Sequence, residues 1–200
     1  MEKLSLTYRF LRSIGLNYSE EEYGQVSFSK VIKRVFKTYR DEFLLKFLMN
    51  SWLLSPISPR KLRPTILRII GCKVGKDVFI GSNVWIDSGH SDMIILEDHV
   101  HIAGECTLLC HQRDLSGYCV GDDYAELGYI VKKIHLKKGC LIGQRTMIMP
   151  GVTVGEGAIV GAYSLVTKDI PSWTVAMGRP AKVVKQIPEK NVESNEHPNI

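Results

Sequence analysis

The sequence predicts a mainly β fold in which short strands wind into a solenoid of three-sided coils. Branched aliphatic residues recur at every sixth position late in the chain, at Val154, Val160 and Val166, and the next residue is often glycine. A period of six fits neither the 3.6-residue turn of a helix nor the two-residue alternation of a single strand. The same phase returns in two separate blocks upstream, so the repeat occupies about residues 72–167.

Twelve aliphatic positions share this phase, and we expect each side chain to point inward at the middle of a flat side. They form three runs: Val74, Ile80 and Ile86; Leu96, Ile102 and Leu108; Leu136, Ile142, Ile148, Val154, Val160 and Val166. The step between the first two runs is ten, which indicates four inserted residues, and the next step is 28, which leaves a long segment outside the repeat. A β-sandwich with loosely spaced strands is the alternative, which the fixed spacing disfavours.

Charge and composition divide the chain into three predicted parts. Residues 1–71 contain thirteen Lys and Arg against six Asp and Glu, whereas 72–200 contain thirteen against fifteen, so the basic character belongs to an N-terminal helical arm. Residues 72–169 form the solenoid, from which the loop 112–133 protrudes. Residues 170–200 are predicted to form a turn, a short helix and a frayed polar tail.

The arm has two helical patterns with different possible partners. From Ser27 onward, apolar residues follow one helix face and Lys and Arg the other. The apolar stretch 43–57 is too short and too polar to span a bilayer. We favour a helix that caps the open end of the solenoid; the alternative is peripheral contact with an anionic membrane. Nucleic acid binding is disfavoured, because no aromatic platform or known motif accompanies the basic residues.

The cysteines and the N-terminus bear on the compartment. Five cysteines without a CxxC pair predict neither a disulfide framework nor a zinc site. Reduced thiols are typical of the cytosol. The first residues lack the apolar core and cleavage site of a signal peptide. We therefore expect a cytoplasmic protein, which lies at the inner face of the membrane if the arm binds lipid.

Several motifs in the second half of the chain carry a specific resemblance. They are Ile142-Gly143, Pro150-Gly151-Val152-Thr153-Val154-Gly155, Val166-Thr167-Lys168-Asp169-Ile170-Pro171 and Gly178-Arg179-Pro180-Ala181-Lys182. With these motifs the sequence resembles the bacterial hexapeptide-repeat acyltransferases over roughly 72–187. Within that family it is most similar to the maltose and galactoside O-acetyltransferases and to the O-acetyltransferases of exopolysaccharide synthesis, of the colanic acid type.

The resemblance implies a left-handed parallel β-helix, a homotrimer with active sites between adjacent subunits, and acetyl-CoA as the acyl donor without a metal. The function expected from it is transfer of an acetyl group to a hydroxyl of a sugar or surface-polysaccharide precursor. An amino sugar, a serine or an antibiotic is an alternative acceptor. A non-catalytic β-helix scaffold is the alternative of another class, and a γ-type carbonic anhydrase is disfavoured because the histidine spacing of its zinc site is missing.

His111 is the candidate catalytic residue, because the family's catalytic histidine stands just before the long loop. A neutral imidazole can take the proton of a hydroxyl as it attacks a thioester carbonyl. A structural histidine is the alternative. Asp87, Asp114 or a backbone carbonyl could fix the tautomer, and His90 is a weaker candidate for the site. Cys110 points to the opposite face of the strand, so a Cys-His nucleophile is disfavoured.

The resemblance also implies contacts to the donor. Six residues match the family's CoA-binding positions: Gln144, Ala162, Thr167, Lys168, Lys182 and Lys185. Gln144 and Ala162 are expected beside pantetheine, with Thr167 and Lys168 further along the same groove. The last two lysines replace arginines near the CoA phosphates, and a solvated surface is their alternative role.

Acceptor recognition is assigned to the long loop. Segment 112–133 combines tyrosines with carboxylates, a mixture of flat apolar faces and hydrogen-bond acceptors that suits a sugar. Loops of this length are usually functional or disordered. The candidate acceptor-binding residues are Asp87, Asp114, Tyr118, Asp122 and Tyr124. A packing arm within the trimer is the alternative.

Overall fold

The computed structural model describes residues 4–15, 23–51 and 58–189, which divide into two compact units between Leu44 and Leu45. The end of the apolar stretch 43–57 and nearly all of the predicted tail lie outside the described residues. Within the described ranges, no helix combines the length and apolar character needed to cross a membrane.

The first unit contains two helices, α1 (Leu6–Ser13) and α2 (Phe28–Phe43), and a π-helical turn, Leu44–Leu48, follows α2. Tyr8, Leu11 and Val26 form its small core. The side chain of Ser27 accepts the Lys30 backbone N–H and caps α2, as the sequence pattern indicates. The apolar face of α2 is present but stays largely exposed, with Phe28, Val35, Phe36, Tyr39 and Phe43 among its exposed side chains.

The second unit is built on three sheets whose strands are parallel, except for β16. Successive strands of each coil lie in the first, second and third sheet in turn. The first sheet contains β1 (Lys73–Val74), β4 (Ile94–Leu96), β9 (Ile134–Leu136) and β12 (Thr153–Val154). The second contains β2 (Phe79–Ile80), β5 (His101–Ile102), β10 (Leu141–Ile142), β13 (Ile159–Val160), β15 (Thr174–Gly178) and β16 (Ala181–Gln186). The third contains β3 (Trp85–Ile86), β6 (Thr107–Leu108), β11 (Met147–Ile148) and β14 (Leu165–Val166).

The strand register confirms the period of six. Residues of the same phase pair across neighbouring coils, as in Leu136 with Val154 and Ile142 with Val160. Eleven of the twelve aliphatic positions are buried inside the coils, and only Val74 on the first coil is partly exposed. The core is therefore a column of stacked aliphatic side chains, with one layer for each coil.

A third helix, α3 (Arg63–Ile70), covers the first coil. Its buried face consists of Ile66, Leu67 and Ile70. Arg63 fixes its start, because the guanidinium donates to the carbonyl of Ile80 at 2.9 Å. The open end of the coil is thus closed by a helix within the same unit, which removes an exposed sheet edge.

The predicted short C-terminal helix is wrong, because residues 174–186 form an antiparallel hairpin. β15 pairs with β13 and extends the second sheet, and this leaves the other edge of β15 free for β16. Gly178 makes the turn with a positive φ of 107°. β-Branched Val183 and Val184 favour a strand where such an edge is available.

Two insertions leave the solenoid at one edge. The four extra residues lie within a six-residue 3-10 segment, Ser88–Met93, between β3 and β4. The long segment forms a second hairpin, β7 (His111–Arg113) with β8 (Tyr129–Val131), between β6 and β9. Both connect the third sheet to the first, on consecutive coils, so their bases lie side by side.

Candidate active site

A buried carboxylate joins two imidazoles where the insertions begin. Oδ2 of Asp87 lies 2.5 Å from Nδ1 of His111 and accepts the Cys110 backbone N–H at 3.2 Å. Its Oδ1 lies 3.3 Å from Nδ1 of His90. Asp87 is 3% exposed, whereas about a third of each imidazole side chain is open to solvent. The carboxylate therefore fixes rings that can still meet a ligand.

Strand register explains how Asp87 and His111 meet. Asp87 follows β3 on the first coil, and Cys110 and His111 follow β6 on the second, with Ile86 paired to Leu108. Alternation along the strand turns Cys110 inward and His111 outward, as expected. Of the orienting groups considered from the sequence, Asp87 is the one in contact.

The second orienting candidate, Asp114, is engaged inside the hairpin loop. Its Oδ1 accepts the Ser116 backbone N–H at 3.0 Å. Hydrogen bonds from Ser116 hold the pKa of Asp114 below its ordinary value. Asp114 is thus ionised and turned toward its own loop, which leaves Asp87 to orient the imidazole.

The contact gives His111 a defined chemistry. With Asp87 as a carboxylate, Nδ1 of His111 donates the hydrogen bond, and Nε2 then carries the free lone pair. An imidazole in this tautomer can accept a proton from a hydroxyl or amine that binds next to Nε2. The arrangement is that of a general base with an orienting carboxylate.

Cys110 is unsuited to nucleophilic chemistry. Its side chain is fully buried, and burial, with a further contribution from the charge of Asp87, raises the pKa of its thiol to about 12. A thiolate, not a thiol, is the reactive form. The residue therefore fills the core beside the histidine, as the sequence indicates.

This burial predicts how the cysteines react. All five cysteines lie in described parts of the chain; four are buried and Cys119, in the hairpin loop, is exposed. We expect one thiol per native chain to react rapidly with Ellman's reagent at pH 8, and the other four only after unfolding, because access limits the reaction. The Cys119→Ser variant should lose the rapid phase. Rapid reaction of more than one thiol would contradict the buried positions.

The hairpin places aromatic rings beside His111. The Tyr129 ring meets the imidazole edge-on at a centroid distance of 5.6 Å. The guanidinium of Arg113, paired across the hairpin, lies 4.2 Å from the centroid of Tyr129 and 5.1 Å from that of Tyr124. The imidazole of His111, the Tyr129 ring, the Arg113 guanidinium and the Tyr124 ring thus contact one another in series along the hairpin. Tyr124 is one of the acceptor residues predicted from the sequence.

The other loop candidates stay within the loop. Asp122 accepts the Cys119 backbone N–H at 2.7 Å, and the Tyr118 ring is exposed. Arg113 and Tyr129 are absent from the residues predicted for the site, and His90 was only a weaker candidate. A usable signal existed for Tyr129, since the run of aromatic and β-branched residues in 129–131 suits a strand that returns beside His111.

The candidate donor residues lie on different parts of the solenoid. Gln144 and Ala162 follow β10 and β13, at the edge between the second and third sheets, and Gln144 donates to Glu105 at 3.1 Å. Thr167 and Lys168 follow β14, at the edge between the third and first sheets, where His111 also lies. The expected single groove for both pairs is not formed within one chain.

The remaining donor candidates and histidines lie apart from this edge. Lys182 and Lys185 are exposed on β16, the last strand of the second sheet. His101 stacks on Phe79 at 4.1 Å, and His135 contacts Glu97 at 2.6 Å. The carboxylate-bridged pair at the insertions is therefore the distinctive titratable cluster of the described chain.

Comparison with known proteins agrees with this architecture. Residues 133–168 match the family described as "Bacterial transferase hexapeptide (six repeats)". The chain is 36% identical over 116 residues to "Putative acetyltransferase SAV2555" of Staphylococcus aureus, which covers 58% of this chain and 55% of that protein. It is 31% identical over 120 residues to galactoside O-acetyltransferase of Escherichia coli, which covers 58% of each.

Solved structures share the fold over most of the chain. A hexapeptide-repeat acetyltransferase of Vibrio cholerae, complexed with acetyl coenzyme A, gives a TM-score of 0.62 at 20% identity and covers 93% of this chain and all of that one. A maltose O-acetyltransferase of Clostridium difficile gives 0.59 at 22% identity and covers 94% of this chain. The similarity in sequence, in contrast, spans little more than half the length of the Staphylococcus aureus and Escherichia coli relatives.

Proposed function

Since residues 133–168 match the bacterial hexapeptide transferase family, we propose that the chain transfers an acetyl group from acetyl-CoA to a hydroxyl of a sugar or surface-polysaccharide precursor. The observation that carries the proposal is the buried Asp87 carboxylate, 2.5 Å from Nδ1 of a partly exposed His111. The donor serves as co-substrate, and no metal is required for the transfer.

The reaction is a direct transfer. Nε2 of His111 takes the proton of the acceptor hydroxyl while the oxygen attacks the thioester carbonyl. The tetrahedral intermediate collapses, the carbon–sulfur bond breaks, and the CoA thiolate leaves with the proton returned by the imidazolium. Asp87 stabilises that imidazolium and keeps Nε2 toward the acceptor. The inert Cys110 supports transfer without an acyl-enzyme intermediate.

The site is completed between subunits of a homotrimer in this proposal, and the coil is left-handed, as in the family. Gln144 and Ala162 lie at one edge of the third sheet, Thr167 and Lys168 at the other. A second chain is needed to bring both edges to one donor molecule, and this supports an interfacial site. Lys182 and Lys185 stay candidates for the CoA phosphates.

The hairpin is assigned to the acceptor. Exposed Tyr124 and Tyr129, whose rings both contact the guanidinium of Arg113, offer flat apolar surfaces of the kind that pack on sugar rings. Asp114, Tyr118 and Asp122 remain predictions for acceptor contact. Asp87 was predicted among them, but its oxygens already serve His90, His111 and Cys110, so we assign it to orienting the base.

Other acceptors and another class compete with this proposal. The chain is 33% identical over 121 residues to a serine acetyltransferase of Buchnera aphidicola, which covers 60% of this chain and 41% of that protein and favours serine as the alternative acceptor. An amino sugar and an antibiotic stay predictions from the sequence. A scaffold without catalysis is disfavoured, since a nearly buried carboxylate beside two imidazoles carries a desolvation cost that structure alone does not require.

Capping of the solenoid and contact with an anionic membrane both remain proposed roles for the N-terminal arm. The exposed apolar residues Phe28, Val35 and Phe36 of α2 accompany Lys30, Lys33 and other cations along one amphipathic helix. Such a surface suits peripheral contact with an anionic bilayer. Membrane contact through α2 stays a prediction, and so does the cytoplasmic location expected from the sequence.

Thiol release from acetyl-CoA tests the function. The panel contains galactosides, maltose, amino sugars, serine and glycan fragments, with donor binding followed separately by calorimetry. We expect one acceptor class to accelerate thiol release, and mass spectrometry then locates the acetyl group. Absence of both thiol release and CoA binding would leave the scaffold as the better account.

The Asp87→Asn variant tests the orienting role. An amide at this position offers N–H to Nδ1 of His111, which favours the tautomer whose Nε2 is already protonated. We expect kcat to fall on the order of 10²-fold or more, with KM for the acceptor and CoA affinity nearly unchanged. Asp77→Asn is the matched control, because Asp77 is exposed with a φ of 51°, which asparagine tolerates. A rise in KM alone would instead indicate acceptor binding.

A further inference from the structure

We propose that Asp87, His90 and His111 form a binding site for a divalent transition-metal ion, with Zn²⁺ as the best fit, and that a bound ion inhibits the enzyme. One ligand atom from each residue lies within 4.8 Å of the other two. Metal binding does not depend on the proposed acyl transfer, whereas the inhibition does.

The donor set has the chemistry of a zinc site. Two imidazole nitrogens and one carboxylate oxygen are the protein ligands of several catalytic zinc centres, in which water takes the fourth position. Imidazole with carboxylate is also a preferred set for other first-row ions. Calcium and magnesium are disfavoured, because they favour shells made mostly of oxygen.

The distances need only small adjustments. In a tetrahedral site with bonds of about 2.0–2.1 Å, neighbouring ligand atoms are about 3.3 Å apart. Oδ1 of Asp87 lies 3.3 Å from Nδ1 of His90, and Oδ2 lies 2.5 Å from Nδ1 of His111, so both rings present Nδ1 to the same carboxylate. The two rings are 5.1 Å apart between centroids and tilted by 42°. A small rotation of the carboxylate would bring one oxygen and both Nδ1 atoms to a shared ion. An ion can replace the protons that these hydrogen bonds hold.

The carboxylate of the proposed site is buried, whereas its two imidazoles are partly open to solvent. The Asp87 side chain is 4% exposed, and its backbone is held by the coil, so the anionic ligand is pre-positioned. The His90 and His111 side chains are 35% and 33% exposed, which gives an ion a route from solvent and leaves room for water. The site is thus anchored on one side and open on the other.

His90 is the residue that distinguishes this site from an ordinary base and its carboxylate. It lies in the inserted turn Ser88–Met93, where its φ of −133° and ψ of 34° break the helical geometry. The proposed transfer gives it no step. A second imidazole on the same carboxylate is what completes a three-ligand set.

Occupation of the site would disable the base. An ion bound to Nδ1 of His111 takes the lone pair of that nitrogen and displaces the hydrogen bond to Asp87, so the neutral ring then carries its proton on Nε2. Nε2 no longer has a lone pair with which to take the proton of the acceptor. The ion also occupies the space beside the ring, so inhibition should be saturable and reversed by a chelator.

Direct metal titration tests the site without any acetyl-CoA. Tag-free, chelator-treated full-length protein carrying Cys119→Ser, which removes the exposed thiol, is titrated with Co²⁺ by visible absorption and with Zn²⁺ by calorimetry. We expect one ion per chain and the bands of four-coordinate cobalt. His90→Ala should weaken binding by about 100-fold or more, because even an outer-shell change costs 10–100-fold. His99→Ala is the matched control, as His99 is exposed and lies near Asp77 instead.

Equal affinity in the wild type and His90→Ala, or no stoichiometric binding, would overturn the proposal. Inhibition is measured separately, as the Zn²⁺ concentration that halves thiol release in the wild type and in His90→Ala. If one ion binds per chain but no acceptor is acetylated, the metal site stands and the proposed function falls. If acetylation proceeds and no ion binds, the function stands and the site falls.

Discussion

Replacing His111 with alanine is expected to lower the acceptor-dependent release of CoA thiol by about 10²–10⁴-fold, the usual contribution of a positioned general base. Without Nε2, the acceptor hydroxyl must attack while it still holds its proton. The measurement is kcat/KM for the best acceptor of the panel, at saturating acetyl-CoA. The donor candidates lie after β10, β13 and β14 and on β16, outside the strand that carries His111, so CoA affinity should persist.

His99→Ala serves as the control, since this exposed histidine lies at a different corner of the coil. Its rate should stay close to that of the wild type. The thermal midpoint of His111→Ala is measured as well and should fall, because the substitution removes one hydrogen-bond partner of the buried Asp87 carboxylate and leaves it those from His90 and the Cys110 N–H. A His111→Ala protein that turns over at nearly the wild-type rate would remove the base from the mechanism.

The Gly143→Ala variant is expected to destabilise the solenoid by about 3 kcal/mol or more. A Cβ at this position would lie 2.4 Å from the backbone nitrogen of Ala162 on the next coil. Relief requires neighbouring coils to separate, because the clashing atoms belong to the backbone. The measurement is the midpoint of thermal or urea unfolding.

Gly117→Ala is the matched control for this experiment. Gly117 lies in the hairpin loop, where an added Cβ meets nothing within 4 Å. Its unfolding midpoint should match that of the wild type. An unchanged midpoint for Gly143→Ala would mean that the coils are not stacked as closely as the structure places them.

The solenoid could be predicted because its signal is local and repeated. Each coil obeys the same rule, so the period read at Val154 and Val160 can be recognised again at Ile80 and Ile86 and at Ile102 and Leu108, beyond both insertions. Burial of these side chains follows from one geometric unit, and an error at one coil does not spread to the others. Each further coil with the same spacing therefore supports the prediction made from the others.

The C-terminal prediction failed because the signal there is not periodic. Residues 181–186 contain apolar and basic residues in an order that suits a short helix as well as a strand. The free edge of β15 decides between them, and that edge exists only after the solenoid has formed. Tertiary context of this kind is invisible in a six-residue pattern.

The candidate site was only partly predictable for a related reason. His111 could be found from its place before the long loop. Its partner could not be chosen from the sequence, because Asp114 stands three residues after His111 and Asp87 stands on the preceding coil, and either could reach the ring. Only the pairing of β3 with β6 brings Asp87 into contact. The contact of His90 with Asp87 could not be predicted, because the six-residue period does not extend into the insertion and does not determine where its side chains point.

The edge from which both insertions leave has an evolutionary consequence. The parallel ladders pair residues of the strands, and both insertions begin beyond them, so a change in their length leaves the strand pairing intact. The part of the hairpin beyond the paired strands β7 and β8 can therefore change while Asp87 and His111 keep their places. If His111 is the base, exchange of residues 114–128 between homologues is a modular route to new selectivity.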